Sequence, residues 1–402
     1  MTRPRDPLLW AVCALGVAQI TVWGTAYYFL GVLAGPIAAD TGWSRSFVYF
    51  GFTAAVLAMG VVSAWVGRAI DRHGARIVMT IGTVLASAGM YAVSHARTEA
   101  AYLAAFVFLG VAMRLCLYDA AFAALVQVVP SRGRLAISYL TLFGAFASTV
   151  FWVVGHYLNE AVGWRQTLVA FAAINLVVCL PLNWLGLARH EAPRAEGAAP
   201  PAQAAVESKP LEGRARTVAM VLLSLIMSLN AFVFGIVTVQ LVPMLEAAGL
   251  ATAAAVWVAS LKGFAQFAGR LCEILFGRNL RAITVARIAI GVMPLSFLLL
   301  YFAGGSFWLI LAFTLLMGAS QGVITIVRGA LPLALFGATG YGTVLGLVAT
   351  PILIVTAAAP TLFAMALDAW GWKAAELLVI ACSTASFVAI EAMSRWYERR
   401  RA

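Results

Sequence analysis

The chain has 402 residues, of which 63% are hydrophobic and 11% charged, and its formal net charge is +11. This is more apolar surface than one soluble core could bury, and the mean hydropathy of +0.94 agrees. An ordinary soluble domain is therefore excluded, and the lipid bilayer becomes the expected surroundings. The positive charge does not indicate a nucleic-acid partner, because no solvated module carries it, and the excess of Lys and Arg in cytoplasmic loops of membrane proteins explains it better.

Long apolar runs, separated by short polar or Gly/Pro breaks, predict the helices in chain order. A membrane-spanning helix needs about 20 mostly apolar residues. Arg3 and Arg5 precede the first run, which lacks a convincing cleavage site and is interpreted as a retained span. The predicted spans are 8–34, 46–68, 76–95, 100–128, 135–158, 166–187, 217–242, 252–276, 282–302, 306–334, 341–364 and 373–394.

Between the sixth and seventh runs the chain turns polar, proline-rich and charged, a composition typical of a flexible linker. Lys and Arg concentrate at both termini, in this linker and in alternate loops, which predicts that both termini are cytoplasmic. A bacterial inner (plasma) membrane location is expected. The predicted domains are an N-terminal six-helix bundle (1–187), a cytoplasmic linker (188–216), a C-terminal six-helix bundle (217–394) and a basic cytoplasmic tail (395–402).

The two halves repeat each other in sequence. An acid, Gly-Trp and a base recur in 160–165 and 368–373, at an offset of 208 residues. Gly67-Arg68-x-x-Asp71 is matched by Gly269-Arg270-x-x-Glu273. Parallel internal repeats are a common architecture of transporters. The predicted fold class is therefore an all-α membrane protein of twelve transmembrane helices in two parallel six-helix repeats.

The segment Gly67-x-x-x-Asp71-Arg72-x-Gly74-x-Arg76 resembles the signature loop between helices 2 and 3 of the major facilitator superfamily. Gly-Trp-Ser-Arg at 42–45 and Gly-Trp-Arg at 163–165 resemble the branch that contains monocarboxylate transporters and oxalate/formate exchangers. The resemblance implies transport by alternating access, with the loop gating the cytoplasmic side; a topogenic basic loop is the alternative. The implied gating residues are Gly67, Asp71, Arg72, Gly74, Arg76 and their counterparts Gly269, Arg270 and Glu273.

Charged residues inside predicted spans need a reason, because a charge at mid-bilayer costs roughly 2.5–3.5 kcal/mol even on insertion scales. Arg114 shares a helix face with Tyr118, whereas Asp119 lies about 140° further round a continuous helix. Lys262 begins a polar stripe that continues through Gln266 and Arg270. A third stripe follows one face of the tenth predicted helix and consists of Gln321, Thr325 and Arg328.

An excess of deep cations favours an anionic substrate, since an unpaired buried cation is costly until a counter-charge arrives. In the superfamily fold these helices line one cavity, to which Trp23 and Trp152 could also contribute. The alternative is a set of structural ion pairs, with Arg114 joined to Asp119 across a kink. The candidate residues for binding a small organic anion such as a monocarboxylate are Arg114, Tyr118, Lys262, Gln321, Thr325 and Arg328.

Transport needs an energy source, and the chain has no phosphate-binding loop for nucleotide hydrolysis. We expect proton symport or anion exchange, with Asp119 and His156 as candidate proton-coupling groups. Each also has a structural interpretation, namely neutralising Arg114 for Asp119 and packing for His156.

No paired carboxylates or metal-ligand spacing suggest an enzyme, and no metal or cofactor is expected. We expect a monomer. The first alternative is a proton-coupled exporter of drugs or other small molecules, which would place a deep carboxylate in an aromatic-lined cavity. The second is a membrane sensor or scaffold that transports nothing.

Overall fold

The computed structural model describes residues 6–191, 210–277 and 279–400, and these ranges are helical and contain no strand. Arg3, Arg5 and most of the predicted linker lie outside them. Three π-helical segments interrupt the spans, at Trp23–Tyr27, Asn175–Cys179 and Glu273–Gly277. The α-helices are α1 (Pro7–Val22), α2 (Leu30–Thr41), α3 (Arg45–His73), α4 (Ala75–His95), α5 (Glu99–Cys116), α6 (Tyr118–Val128), α7 (Gly133–Gly144), α8 (Ala147–Ile174), α9 (Leu180–Gly186), α10 (Gly213–Ala247), α11 (Thr252–Cys272), α12 (Ala282–Tyr301), α13 (Phe307–Phe336) and α14 (Tyr341–Arg399).

Twelve membrane crossings follow from these helices. In the described part of the chain, nine helical stretches are long and apolar enough to span. Two of them, Pro130–Gly186 with 57 residues and Tyr341–Arg399 with 59, are too long for one crossing. Each is broken where a glycine has positive φ, 78° at Gly163 and 73° at Gly371. The two breaks raise the number of crossings from nine to eleven, and α11, whose polar residues lower its hydropathy, adds the twelfth. The predicted fold class is confirmed.

The same two glycines explain why the 160–165 motif is repeated in the second half. Positive φ is costly for any residue with a Cβ, so glycine is needed at both breaks. After the first break, Arg165 donates to the carbonyl oxygens of Ser94 (2.7 Å) and Ala96 (3.0 Å) at the end of α4. After the second, Lys373 donates to Tyr301 O (3.0 Å) at the end of α12. Each cation thus satisfies carbonyls, and offsets the dipole, at the C-terminus of a neighbouring helix.

The chain divides into two compact units, which are described separately below. The first unit consists of Met1–Pro201 with Ala338–Thr350, and the second of Ala202–Gly337 with Pro351–Ala402. The predicted domain boundaries remain a prediction.

Within the second unit, α11 and α13 approach each other closely. A Cβ added at Gly269 would lie 2.3 Å from the carbonyl oxygen of Ala319, and one added at Gly322 would lie 2.2 Å from that of Gln266. Small residues permit such close backbone contact in membrane helices, where packing rather than water exclusion drives association. The polar stripe of α11 is therefore held directly against the polar stripe of α13.

This packing predicts opposite effects for two Gly→Ala changes on α11. Gly269→Ala forces backbone apart and should destabilise the protein by about 1–3 kcal/mol. Gly263→Ala meets no atom within 4 Å and, because Ala has the better helix propensity, should leave stability unchanged or raise it slightly. Thermal inactivation in detergent of both variants beside the parent measures the difference, and equal midpoints for the two would contradict the close packing.

Candidate functional site

The span predicted as one helix over 100–128 is in fact two helices, and the interruption creates a buried ion pair. Leu117 takes extended dihedral angles (φ −80°, ψ −169°) between α5 and α6. As a result Nη1 of Arg114 lies 2.6 Å from Oδ2 of Asp119, with both side chains 4% exposed. On a continuous helix these two residues would point in different directions. The pairing considered in the sequence as an alternative is present, so Arg114 is a neutralised cation.

A second irregularity lies beside the first, within the same unit. The span predicted over 8–34 is interrupted by the π-helix Trp23–Tyr27 before α2 begins. Gln19 links the two irregular sites, since its Nε2 donates to the carbonyl of Cys116 (2.8 Å) and its Oε1 accepts from Trp23 Nε1 (3.1 Å). The Trp23 ring lies 5.0 Å from that of Tyr118, centroid to centroid. Trp23 was expected to line a cavity and Tyr118 to bind the substrate, whereas Gln19 was missed.

Trp152, the other tryptophan expected to line a cavity, also contacts this region. Its Nε1 donates to the carbonyl of Tyr28 (3.0 Å), directly after the π-helix. The backbone irregularity of the first span is therefore braced by a side chain of α8.

In the second unit, Lys262 projects from α11 and is half-buried. Its Nζ lies 5.6 Å from the centroid of the Phe234 ring, a cation–π distance. Among the residues that the structure describes, no carboxylate oxygen lies within 4.0 Å of this ammonium group. In the part of the chain that the structure describes, Lys262 thus has an aromatic neighbour but no counter-charge. Phe234 was missed, because nothing in the local sequence relates it to a lysine 28 positions away.

The stripes of α11 and α13 meet through two glutamines. Gln266 Nε2 lies 3.4 Å from Gln321 Oε1. Gln321 is 4% exposed, and its own Nε2 has no hydrogen-bond acceptor in the described part of the chain. Thr325 is committed to a local bond, since its hydroxyl donates to the carbonyl of Gln321 (3.0 Å). Arg328 is half-buried and already interacts with neighbouring groups. Gln266, one turn after Lys262 on α11, therefore contacts a buried amide whose NH2 group has no acceptor among the described residues.

The signature loop holds the N-terminus of α14 within the first unit. Oδ1 of Asp71 accepts from the backbone N–H of Gly342 (2.9 Å), and Oδ2 accepts from the N–H (2.7 Å) and the hydroxyl (2.6 Å) of Thr343. A carboxylate is favourable there because first-turn N–H groups are free and the helix dipole is positive. Gly67 permits the approach, since a Cβ on it would lie 2.2 Å from Gly342 O. Thr343 was not predicted.

The other gating candidates have unequal surroundings. Arg76 donates through Nε to Trp184 O (2.7 Å) and stacks over that ring at 3.9 Å, whereas Arg72 is exposed. Gly74 makes the turn between α3 and α4 with φ 84°. In the second half, Arg270 and Glu273 are both buried, and Arg270 Nε lies 3.4 Å from Gly322 O. The sequence repeat is therefore not a repeat of environment, since Asp71 is exposed and Glu273 is not.

The two coupling candidates also differ. Asp119 is buried in its ion pair, but the side chain of His156 is 58% exposed and its Nε2 lies 3.5 Å from Oε1 of Glu160, one turn away. His156 is thus neither isolated nor buried in packing. A buried carboxylate that the sequence interpretation passed over is Glu376, 3.9 Å from Lys373 Nζ. No group of three or more metal-ligating side chains occurs in the described ranges.

Comparison with solved structures finds the same fold in several transporters of low sequence identity. The human organic anion transporter MFSD10 is 16% identical with a TM-score of 0.75, covering 96% of this chain and 100% of that one. The transporter FucP is 15% identical (TM-score 0.71, covering 96% and 99%). A bacterial homologue of the iron transporter ferroportin is 14% identical (TM-score 0.76, covering 97% and 100%). At these identities the likeness concerns the fold alone.

The sequence comparisons give the family. No curated protein matches the chain. The family model described as Major Facilitator Superfamily matches residues 15–301, which is more than half of the chain and includes the signature loop. Together with twelve apolar crossings, this shows that the chain is an integral multi-pass membrane protein and belongs to the major facilitator superfamily.

Proposed function

We propose that this secondary transporter moves a small organic anion, monocarboxylate-like, across the membrane by alternating access. The observation that carries the proposal is the half-buried ammonium group of Lys262, which has no carboxylate partner among the described residues. A cation removed from water is costly until a counter-charge arrives. An anionic substrate supplies that charge in one state of the transport cycle and leaves in the next.

The neighbouring donor supports the same substrate class. The free Nε2 of buried Gln321 needs an acceptor, and a carboxylate oxygen is one. Gln266 orients the Gln321 amide, and Arg328 and Thr325 complete the proposed polar face of α13. In the first unit Arg114 is paired with Asp119. We therefore propose Arg114 and Tyr118 as substrate contacts only because they lie beside the break between α5 and α6. The fold accommodates this substrate class, since one similar structure is that of an organic anion transporter.

The energy source we propose is a proton gradient or an exchanged anion. Asp119 is the preferred coupling group, because protonating it would release Arg114 inside the protein and so link proton uptake to a change in local charge. His156 is the second candidate, with Glu160 as its acidic neighbour at 3.5 Å. By family resemblance, the Asp71 contact with α14 gates the cytoplasmic side. We further propose a monomer in a bacterial inner membrane with both termini cytoplasmic.

One observation favours the alternative of an exporter of drugs or other small molecules. The rings of Trp23 and Tyr118 are in contact, and Tyr118 is followed in the chain by the buried carboxylate of Asp119, a combination that an exporter of cationic drugs would require. That carboxylate is, however, already neutralised by Arg114 at 2.6 Å. Lys262, by contrast, has no carboxylate within 4.0 Å among the described residues, and an unpaired cation disfavours a cationic substrate.

Uptake into proteoliposomes tests the proposal. Purified protein is reconstituted, and accumulation of labelled small carboxylates and of cationic dyes is measured with and without an inward-directed proton gradient. We expect saturable carboxylate flux that the gradient or an internal carboxylate stimulates. Flux of dyes alone would support the alternative, and no flux of any solute would favour a sensor or scaffold.

A further inference from the structure

We propose that four rings of the first unit, Trp23, Tyr27, Tyr28 and Tyr118, with Phe52 behind them, form a cage that binds a planar apolar group. Trp23 is central, with ring centroids 4.6 Å from Tyr27, 5.7 Å from Tyr28 and 5.0 Å from Tyr118. Tyr27 meets Phe52 edge-on at 4.8 Å. This inference rests on the proposed function in one respect, that the planar group belongs to the transported anion.

The backbone under the cage is irregular in both contributing spans. Trp23–Tyr27 is π-helical, and α5 ends at an extended residue immediately before Tyr118. Irregular backbone inside the hydrocarbon region is tolerated where it is buried in protein or lines a cavity, and discontinuous helices form the substrate sites of many transporters. π-Helical turns likewise concentrate at functional sites. Two such irregularities, joined by Gln19 and covered by one group of rings, indicate a binding surface.

Exposure separates the cage from ordinary aromatic packing in the same unit. Phe29 and Phe106 are also in ring contact, at 5.8 Å, but each is at most 2% exposed. The four rings of the cage and the Phe52 ring behind them are all half-buried instead. Half-buried rings keep surface that the described protein does not cover, and such surface can contact a ligand, whereas the surface of a filled core cannot.

Local charge determines which chemical class the cage takes. The adjacent ion pair of Arg114 and Asp119 has no net charge, so neither a free cation nor a free anion is attracted to it. The indole N–H of Trp23 is already donated to Gln19, which leaves the ring surface as the recognition element. Aromatic surface prefers planar partners through stacked or edge-to-face contact. Because the proposed substrate is an organic anion, the expected ligand is an aromatic or heteroaromatic carboxylate rather than a short aliphatic one.

The test compares phenylacetate with cyclohexylacetate, which carry the same carboxylate on a planar and a puckered ring. Affinities are measured by calorimetry on the full chain in lipid nanodiscs, with benzyltrimethylammonium as an aromatic cation. We expect phenylacetate to bind roughly three- to tenfold more tightly, the increment of a specific aromatic contact. Hydrophobicity alone would favour cyclohexylacetate. Trp23→Leu should abolish the preference and Trp23→Phe retain part of it, while Trp65→Leu, at a tryptophan 59% exposed on α3, should leave it unchanged.

The outcomes separate the cage from the anion site. If both carboxylates bind equally, or if Trp23→Leu weakens both equally, the rings are packing only and the cage is overturned while the transport of anions stands. If the aromatic cation alone binds, and depends on Trp23, the cage is supported and the proposed anionic substrate fails. If no ring compound binds, the cage is overturned. If Trp23→Leu does not elute as a folded species, the two single variants Tyr27→Leu and Trp23→Phe replace it. The preference for phenylacetate over cyclohexylacetate is then measured on each of them.

Discussion

Lys262→Gln is expected to lower carboxylate transport by about ten- to a hundredfold. The substitution keeps a polar side chain of similar length but removes the charge, and a hydrogen bond to a charged group is worth about 1.5–3 kcal/mol. The loss should appear in substrate affinity, because the ammonium group has no other counter-charge among the described residues. Folding should be unaffected or improved, since a cation without a partner is removed from a half-buried position. Concentration-dependent uptake in proteoliposomes measures the effect.

Two further variants make this prediction specific. Lys262→Arg restores the charge and should recover part of the transport, limited by the different shape of the guanidinium group. Lys373→Gln removes a lysine whose side chain is 73% exposed in the same unit and should leave substrate affinity unchanged. If Lys262→Gln together with Arg328→Gln transports the substrate as the parent does, the proposed anion site is wrong.

Breaking the Arg114–Asp119 pair from one side is expected to cost about 3–5 kcal/mol of stability. Asp119→Asn leaves the Arg114 guanidinium buried without its counter-charge, and the same holds in reverse for Arg114→Gln. The double variant removes both charges and should recover much of the loss. A double-mutant cycle on unfolding in detergent measures the coupling free energy, and additive single effects would mean that the pair contributes no specific coupling.

A half-buried pair, joined by two hydrogen bonds, provides the comparison. Nη2 of Arg132 lies 2.7 Å from Oδ1 of Asp6, but the side chains are 33% and 38% exposed, so breaking it should cost at most about 1 kcal/mol. The hydrogen bond from Arg132 lowers the pKa of Asp6 below its usual range. Its contribution is therefore complete above the carboxyl's unfolded pKa and is lost as pH falls through the lower folded value.

Asp119→Asn also tests whether transport is coupled to protons through Asp119. If Asp119 carries the transported proton, Asp119→Asn should abolish gradient-driven accumulation while carboxylate exchange across the membrane continues. Measuring both activities in the same vesicles separates coupling from folding, because an unfolded variant loses both. Unchanged accumulation would exclude Asp119 and direct attention to His156 or to the buried carboxylate of Glu376.

The number of crossings and the internal repeat could be predicted from sequence because both depend on local properties. Apolar runs of spanning length report the free energy of transfer into lipid, whatever the neighbouring helices are. The breaks at Gly163 and Gly371 were visible as a repeated motif, since positive φ needs glycine at that position. Asp71 was recognisable by its motif, although its partners Gly342 and Thr343, some 270 residues away, were not.

Other features were decided only by the tertiary structure. Nothing in the hydropathy of 100–128 or 8–34 marks the interruptions at Leu117 and Trp23–Tyr27, because hydropathy does not depend on which backbone groups are hydrogen-bonded. The carbonyl of Cys116 is satisfied by Gln19, 97 positions earlier.

By itself, the sequence determined a twelve-span membrane protein with two related halves and a few costly charges inside the spans. Which of those charges is neutralised depended on the tertiary structure. The break at Leu117 turns Arg114 towards Asp119, whereas the ammonium group of Lys262 lies near the ring of Phe234 and has no carboxylate within 4.0 Å among the described residues. The physical reason is that insertion into lipid is a property of each segment, while the pairing of buried charges and hydrogen-bonding groups is a property of the segments packed against one another.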